Sequence, residues 1–239
     1  MSKQTTTLYQ HGTLALLIPG LYDGTQTIAE VLKHGDYGIG TAHALGGEMI
    51  VLDGKAYLAL STGEIKQLAP ETVTPFATVH FNDETLAKQT VKELTFKELQ
   101  AAILNKHAYQ NVFFAVTLTG CFSYMKTRAV AEQQKPYPPL VDVADQQSIF
   151  EEHETRGTVV GYYAPALFEG MAVAGFHVHY LDQQHQMGGH ILDFKIKEAQ
   201  LTLQPFENVA QHFPITNPDF MQAQIDLTSL ANQIRQAES

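Results

Sequence analysis

The sequence has few of the residues that export or nucleic-acid binding would require. Cys121 is the only cysteine among 239 residues, so an intrachain disulfide and a thiolate metal cage are both excluded. Lys and Arg number 15 against 25 Asp and Glu, and the formal charge of -10 opposes binding to phosphate backbones unless basic residues cluster. We find no such cluster in the sequence. These features predict a cytoplasmic protein that does not bind nucleic acid.

Long apolar runs are also missing. The longest early run, Leu14–Ile18, is too short for the core of a signal peptide or for a membrane span. We therefore expect neither a leader nor a membrane anchor. The remaining composition, 44% apolar and 17% charged, can bury the core of one large domain or of two packed halves.

Two short segments have the pattern of a capped helix. Thr27 and Glu30 in "TIAEVLKHG", like Thr95 and Glu98 in "TFKELQAAILNKH", have the spacing of a capping box, and each is followed by an apolar stripe. A segment rich in Gly, Val, Ile, Phe and Thr follows each helix, and this composition predicts strands. The sequence therefore predicts a helix followed by strands, and this unit occurs twice.

The rest of the chain contains one proline-rich loop and a helical end. "EQQKPYPPLVD" has three prolines, which lack backbone donors and disfavour helix in the residues before them. We interpret it as a surface loop. From about Asn217, the apolar residues Leu227, Leu230 and Ile234 recur at helical spacing. The C-terminal segment is therefore predicted to be helical.

A weak internal repeat supports the same division. Gly46–Asp53 ("GGEMIVLD") aligns with Gly175–Asp182 ("GFHVHYLD"), so that Glu48 falls opposite His177. The predicted fold class is α+β, with two sheet-bearing halves built as duplicated β-α-β-type units in one compact molecule. We place the N-terminal half, with Glu48, at 1–90 and the remaining half at 91–239, although one domain is also consistent.

Four histidines lie within twenty residues. In a strand, His177 and His179 point to one face, about 6–7 Å apart along the chain. The stretch "LDQQHQMGG" supplies a turn in which Gly188 and Gly189 can take positive φ, so that His190 begins the returning strand and can lie beside this pair. Three neutral imidazoles with an open position are typical of a catalytic zinc site, or of a site for a similar divalent ion. His185 is at the turn tip, and we exclude it. The alternative is a set of strand histidines that bind no metal.

Three charged residues are further candidates. Glu48 lies among glycines and aliphatic residues, where burial would raise the pKa of its carboxyl and allow proton exchange near neutral pH. Arg128 alternates with Tyr124 and Lys126, which predicts a cationic stripe able to bind a carboxylate. A water-facing residue at a strand end would explain Glu48 equally well, and a solvated charge on an edge strand is the commoner explanation of a pattern like that of Arg128. Glu238 has the position of an ordinary tail residue.

The motifs together resemble the bacterial α-acetolactate decarboxylases. The resemblance rests on the stretch from "LYDGTQTIAE" through "GDYGIGTAHALGGEMIVLDG", on "KTR", on "GFHVHYLDQQHQMGGHILDF" and on the terminal "AES". It extends in order from about Ala15 to the C-terminus. This combination is specific, because H-x-H with a third His eleven residues later occurs with G-D-Y-G-x-G-T and G-E-M-I.

The resemblance implies a fold and a set of site residues. The fold is α+β with two duplicated β-α-β halves, the metal is zinc bound by His177, His179 and His190, and the assembly is a homodimer. The other implied site residues are a catalytic carboxylate at Glu48, an active-site arginine at Arg128, a C-terminal glutamate at Glu238 and an active-site threonine at Thr41. The chain departs from the family's N-A-L-D-G-E at His43 and Gly46, which puts the pocket near Glu48 in question.

The resemblance also implies a reaction. 2-Acetolactate is a β-keto acid, and its decarboxylation to acetoin leaves electrons that a zinc ion can stabilise as an enediolate, without an organic cofactor. Arg128 would orient the substrate through its carboxylate or a developing oxyanion, and Glu48 would protonate one face. Glu238 would assist proton transfer or help hold the bound oxygens, and these two glutamate roles could be exchanged.

Two other classes of protein share parts of the histidine motif. The plant and prokaryote conserved domain of some DNA-associated proteins has a similar His pair and G-G-H turn, but the length and acidic charge of this chain disfavour it. Cupin-type metal oxygenases also contain H-x-H. They have a Glu three or four residues later, where this chain has Gln183 and Gln184.

Overall fold

The structure is a computed structural model that describes residues 4–144, 146–225, 230 and 233–234. Within these residues the chain forms strands and short helices. The strands are β1 (Thr7–His11), β2 (Gln26–Thr27), β3 (Tyr37–Thr41), β4 (Glu48–Leu52), β5 (Lys55–Ala59), β6 (Ile65–Gln67), β7 (Val73–Thr74), β8 (Ala77–His80), β9 (Gln89–Lys92), β10 (Phe114–Ala129), β11 (Ser148–Ala164), β12 (Gly175–Asp182), β13 (Gly188–Pro205) and β14 (Asn208–His212). The helices are α1 (Leu14–Leu17), α2 (Ile28–Val31), α3 (Phe96–Lys106), α4 (Leu140–Ala144) and α5 (Pro218–Gln222).

The strands form two main sheets. The first has seven strands in the order β14-β1-β8-β3-β4-β5-β6, and only the β14–β1 pair is parallel. The second has the order β10-β11-β12-β13-β9. Because β13 also pairs with β10, the four strands β10 to β13 form a closed sheet. This architecture confirms the α+β prediction. In addition, β2 and β7 form a small separate pair.

The predicted helices follow from their caps. Thr95 Oγ1 accepts from the Glu98 N–H at 3.3 Å, and the Glu98 carboxylate accepts from the Thr95 N–H at 2.9 Å, so the capping box of α3 is confirmed. The Thr27 hydroxyl likewise accepts from the Glu30 N–H at 3.3 Å at the start of α2. A short helix, α5, forms near Asn217, but it ends at Gln222 and residues 223–225 are not helical. Leu230 and residues 233–234 are helical, and the rest of the predicted C-terminal helix lies outside the described residues.

The two predicted halves exchange strands. β9 spans the predicted boundary at residue 90 and pairs with β13, while β14 comes from the C-terminal half and pairs with β1. The two aligned segments of the internal repeat fall on β4 and β12. The division at residue 90 and the duplication both remain predictions.

The space between the two sheets is filled by aromatic and aliphatic side chains. His80 at the end of β8 is fully buried, and its Nδ1 lies 2.9 Å from the Tyr162 hydroxyl of β11. Phe206 packs edge-on against His80. Burial lowers the pKa of His80 to about 3, so this cross-sheet contact is made by a neutral imidazole. The sheets therefore share one core and not merely a surface contact.

A loop and a short helix cover one end of this interface. The predicted loop, 132–142, contains no helix or strand from 132 to 139, but its last three residues, Leu140–Asp142, belong to α4, because a proline is compatible with the residues that begin a helix. The Tyr22 hydroxyl donates to the Pro138 carbonyl at 2.9 Å. The Leu140 N–H donates to the Ile18 carbonyl at 3.0 Å, which holds α4 against the end of α1. Among the described residues, none of the helices has the length and apolar character needed to span a bilayer.

Candidate active site

The β12–β13 hairpin brings three imidazoles together. Strand alternation puts His177 and His179 on one face of β12, and His190 of β13 is the direct ladder partner of His179. One ring nitrogen from each lies within 4.8 Å of the others. His185 has φ 56° at the turn and packs on Tyr57 with ring centroids 4.5 Å apart, outside this cluster. The predicted convergence of the three histidines, and the exclusion of His185, are both confirmed.

The Asp182 carboxylate organises the turn that produces this register. It accepts three backbone N–H groups, from Gln184 at 3.0 Å, Gln186 at 2.6 Å and Met187 at 2.8 Å, and Asp182 itself is buried. Its own N–H donates to the Met187 carbonyl at 2.9 Å. Since a one-residue slip would turn His190 to the opposite face, this carboxylate holds the third imidazole beside the first two.

A contact from the other sheet determines the tautomer of His179. Its Nδ1 lies 2.9 Å from the backbone carbonyl of Met49 in β4. A carbonyl oxygen can only accept, so Nδ1 carries the proton and the lone pair is on Nε2. This arrangement, a ring fixed by a backbone acceptor on its far nitrogen, is typical of metal-ligating histidines.

The donor set fits a divalent cation. The Nε2 atoms of His177 and His179 are 3.2 Å apart. Two nitrogens at zinc–nitrogen distances and a tetrahedral angle would be about 3.3 Å apart. Burial, with the nearby Arg128 cation, lowers the pKa of His177 to about 3, and burial also puts the pKa of His179 and of His190 well below the usual value. The rings are therefore neutral near pH 7 and could hold a metal ion.

Glu48 and Thr41 approach the imidazoles from the first sheet. They are partners in the β3–β4 ladder. The Glu48 Oε2 atom is 3.6 Å from the His179 Nε2, and its side chain is 12% exposed. The Thr41 hydroxyl donates to the Gly47 carbonyl at 2.7 Å, and Thr41 is buried. The Glu48 carboxyl group thus lies beside the imidazole nitrogens, and its catalytic role remains a prediction.

The tight turn before Glu48 uses unusual backbone. Ala44 and Leu45 have φ 58° and 54°, and Gly47 has φ 114° with the Ala59 carbonyl only 2.5 Å from the position that a Cβ would occupy. His43 points away from the imidazoles, because its Nδ1 accepts from the Gly24 N–H at 3.0 Å. Neither His43 nor Gly46 contributes to the described pocket wall, so their departure from the family pattern does not alter the wall directly.

Arg128 enters the same pocket from β10. It pairs with His190 in one direction and with Ile149 in the other, and its exposed fraction is 4%. Its Nη1 donates to the Gln147 Oε1 at 2.6 Å. The predicted cationic stripe is wrong, because the Lys126 ammonium is 3.0 Å from the Glu151 carboxylate at the surface. A single cation, Arg128, therefore lines the described part of the pocket.

The pocket is largely apolar around these polar groups. Its cavity volume is about 50 Å³. Its apolar wall comes from α1, α4 and the adjoining segments, and includes Leu14, Leu17, Leu45, Phe76, Val130 and Leu140. Few convergent polar groups in an apolar concavity are characteristic of a small-molecule site. Glu238, the remaining predicted site residue, lies outside the described residues.

The comparisons with known proteins agree with this geometry. The model of the alpha-acetolactate decarboxylase family matches residues 8–227. The chain belongs to this family. The alpha-acetolactate decarboxylase of Methylococcus capsulatus is 41% identical over 192 residues, covering 80% of this chain and 74% of the relative. The enzyme of Lactococcus lactis subsp. cremoris is 36% identical over 235 residues, covering 98% and 99%.

A solved structure in the family has the same architecture. The crystal structure of alpha-acetolactate decarboxylase from Bacillus subtilis strain 168 aligns with a TM-score of 0.94 at 32% identity, covering 98% of this chain and 99% of that one. Membership of the decarboxylase family, over nearly the whole chain, does not favour the DNA-associated alternative.

Two contacts in the site were not predicted from the sequence. The Met49 carbonyl is a backbone group, and no residue pattern marks it. Gln147 lies between α4 and β11 in "DQQS", where no motif draws attention to it. Gln147 could have been found only from the strand pairing. Because Arg128 pairs with Ile149, Gln147, two residues earlier on the neighbouring chain segment, lies diagonally across from Arg128.

Asp182 provides a test of the hairpin register. Asp182→Ala should lower the free energy of unfolding by about 3 kcal/mol and the zinc affinity by about tenfold or more, because three backbone donors lose a charged acceptor. Asp182→Asn keeps one acceptor oxygen and should cost only about 1 kcal/mol. Urea unfolding and competition with a chromophoric chelator measure the two effects. Unchanged zinc affinity in Asp182→Ala would show that the turn does not determine the imidazole register.

Proposed function

We propose that this protein decarboxylates 2-acetolactate to acetoin and CO2, using zinc held by His177, His179 and His190. The proposal depends on one observation: three neutral imidazoles converge in a pocket that also contains Glu48 and Arg128, in a chain of the alpha-acetolactate decarboxylase family. When bound, the cation supplies a Lewis acid that stabilises the negative charge left by the departing CO2. The all-nitrogen donor set suits zinc or a similar borderline divalent ion.

Arg128 binds and orients the substrate. A buried guanidinium in an apolar pocket interacts strongly with a carboxylate, since little water screens the two charges. The substrate carboxylate is the group that leaves as CO2. Its binding by Arg128 holds the bond to be broken in one orientation relative to the imidazoles.

Glu48 transfers the proton that completes the reaction. Its position 3.6 Å from the His179 Nε2 puts a carboxyl group beside the reacting carbon of a substrate held at the imidazoles. Protonation from the β4 side alone would give one enantiomer of acetoin. Thr41 helps to form the substrate-binding wall beside Glu48, and we assign Glu238 an assisting role in proton transfer.

The apolar wall keeps water from the reacting carbon. Leu14, Leu17 and Phe76 line the pocket together with the polar groups. Exclusion of water would strengthen the interactions of Arg128 and Glu48 with the substrate and keep solvent from protonating the carbon. This wall supports the proposal that one enantiomer of acetoin is formed.

Metal removal tests the ligand assignment. Treatment with a chelator should abolish acetoin formation, and added zinc should restore it. His177→Ala should lower the activity by at least about a hundredfold and the bound zinc well below one ion per chain, as measured by elemental analysis. His185→Ala, at the tip of the same hairpin, is the control and should keep both. Full activity in His177→Ala would end the metal hypothesis.

Glu48→Gln tests the proton transfer. The amide keeps the shape of the side chain but cannot deliver a proton, so kcat should fall about 10²-fold or more, with zinc content unchanged. The optical purity of any residual acetoin, measured by chiral chromatography, should also fall. Glu64→Gln, an exposed pair partner of Lys66 in the first sheet, is the control. Wild-type turnover in Glu48→Gln would assign the proton to another group.

We also propose a cytoplasmic homodimer without nucleic-acid partners. Large apolar side chains are exposed at Leu167 (84%), Ile215 (70%) and Met221 (60%), and a subunit interface would remove such side chains from water. The acidic net charge and the single cysteine support the location and the lack of a nucleic-acid partner.

The assembly is tested by light scattering coupled to gel filtration. The wild-type mass should be twice that of one 26.5 kDa chain. Ile215→Asp should shift the equilibrium toward the monomer, because burying an unpaired carboxylate costs several kcal/mol. Asn105→Asp on exposed α3 adds the same charge elsewhere and should leave the mass unchanged. A monomeric wild-type protein at micromolar concentration would refute the proposal.

A further inference from the structure

The side chain of Gln147, which follows α4 in the chain, contacts Arg128. The Arg128 Nη1 donates to the Gln147 Oε1 at 2.6 Å. Arg128 is buried at the pocket and Gln147 is partly buried next to it. A short hydrogen bond from a buried charged donor is among the stronger ones in proteins, so the two side chains hold one another in place.

The backbone fixes Gln147 independently of this contact. Its N–H donates to the Ala144 carbonyl at 3.4 Å, and the neighbouring Gln146 N–H donates to the Val143 carbonyl at 3.0 Å. Ala144 belongs to the wall of the pocket, and Ile149, two residues after Gln147, pairs with Arg128. The amide therefore links the end of α4 to the arginine and is anchored at both sides.

The choice of an amide has an electrostatic consequence. A glutamine oxygen accepts from a guanidinium without adding a negative charge, whereas a glutamate at the same point would neutralise much of the arginine's charge. The planar guanidinium has donors on more than one edge. An acceptor on Nη1 consequently restricts the rotation of the guanidinium without placing a negative charge beside it.

We propose that Gln147 is a positioning residue for the substrate carboxylate, because it aligns Arg128 through Nη1 without neutralising it. This inference rests on the proposed function, in which Arg128 binds that carboxylate. During decarboxylation the electrons of the breaking carbon–carbon bond move into the rest of the substrate, and the carboxylate becomes neutral CO2. The Arg128–carboxylate interaction is consequently strongest before the reaction, and weakening it acts on substrate binding more than on the chemical step.

Gln147→Glu is the decisive variant, and Gln146→Glu is its matched control. Gln146 is exposed and adjacent, so its replacement adds the same charge one residue away without the Nη1 contact. Gln147→Met keeps the length of the side chain and removes the acceptor without adding charge. Thermal unfolding of all three variants shows whether each one is folded before binding is measured.

The probes separate charge recognition from the rest of the site. 2-Hydroxy-2-methylpropanoate keeps the carboxylate and hydroxyl of the substrate but has no ketone, so it cannot lose CO2 by this route. Acetoin, the neutral product, has no carboxylate. Isothermal titration of the zinc-loaded proteins gives the affinity for each compound, and steady-state kinetics with acetolactate gives KM and kcat.

Gln147→Glu should raise KM by about tenfold or more and weaken the carboxylate probe by a similar factor, with kcat within about threefold and acetoin affinity unchanged. Gln147→Met should weaken the probe by a smaller factor, and Gln146→Glu should resemble the wild type. These three results together support the positioning role, because a general structural defect would weaken acetoin equally.

Other outcomes overturn the inference. Equal effects of Gln147→Glu and Gln146→Glu would attribute the change to charge at a distance, and a fall in kcat with unchanged probe affinity would place Arg128 on a different group. A folded wild-type protein that does not bind the carboxylate probe refutes the inference as well. The proposed function has its own test. It is refuted if the wild-type protein forms no acetoin from acetolactate, and this result does not depend on whether the carboxylate probe binds.

Discussion

The hydrogen bond between His179 Nδ1 and the Met49 carbonyl joins the two sheets at the site. It is a contact between a side chain of β12 and the backbone of β4, and it determines which nitrogen of His179 is free to bind a cation. Met49 directly follows Glu48, so the same stretch of β4 both orients the His179 ring and positions the Glu48 carboxyl group. A change in how the sheets pack would therefore disturb the imidazole cluster and Glu48 together.

The site combines neutral ligands with one buried cation. Burial and the nearby Arg128 both disfavour protonated imidazoles, which is why the pKa of His177 falls to about 3. Burial, with the Arg128 charge as a second cause, thus keeps these imidazoles neutral, and in the proposed function the same guanidinium binds the substrate carboxylate. Glu48, which approaches from the other sheet, adds a carboxyl group beside the imidazoles. Arg128 and Glu48 come from different sheets, and only the packing of the sheets brings them into one pocket.

Local sequence patterns predicted the parts of the molecule that local interactions determine. The capping boxes at Thr27 and Thr95 predicted both helix starts, since the cap and its helix lie within four residues. The H-x-H spacing and a turn within "LDQQHQMGG" predicted the convergence of the imidazoles, because strand alternation and a hairpin suffice to produce it. Gly188 and Gly189 themselves already belong to β13, and the turn precedes them. The predicted cationic stripe was wrong because Arg128 is buried in the pocket, whereas Lys126 pairs with Glu151 outside it. The alternation of residues along one strand does not show which side chains a neighbouring element will cover.

The remaining features depend on contacts between distant segments. The Met49 carbonyl, the apolar wall from α1 and α4, and Gln147 beside Arg128 come together through sheet packing, and none of them has a signature in the sequence. The sequence by itself determined the family, the three imidazoles and the candidate glutamate and arginine, because these depend on residue identity and short spacing. Only the tertiary structure decided which tautomer His179 adopts, what surrounds Arg128 and where the pocket closes, because those depend on which backbone and side-chain atoms the folded sheets place in contact.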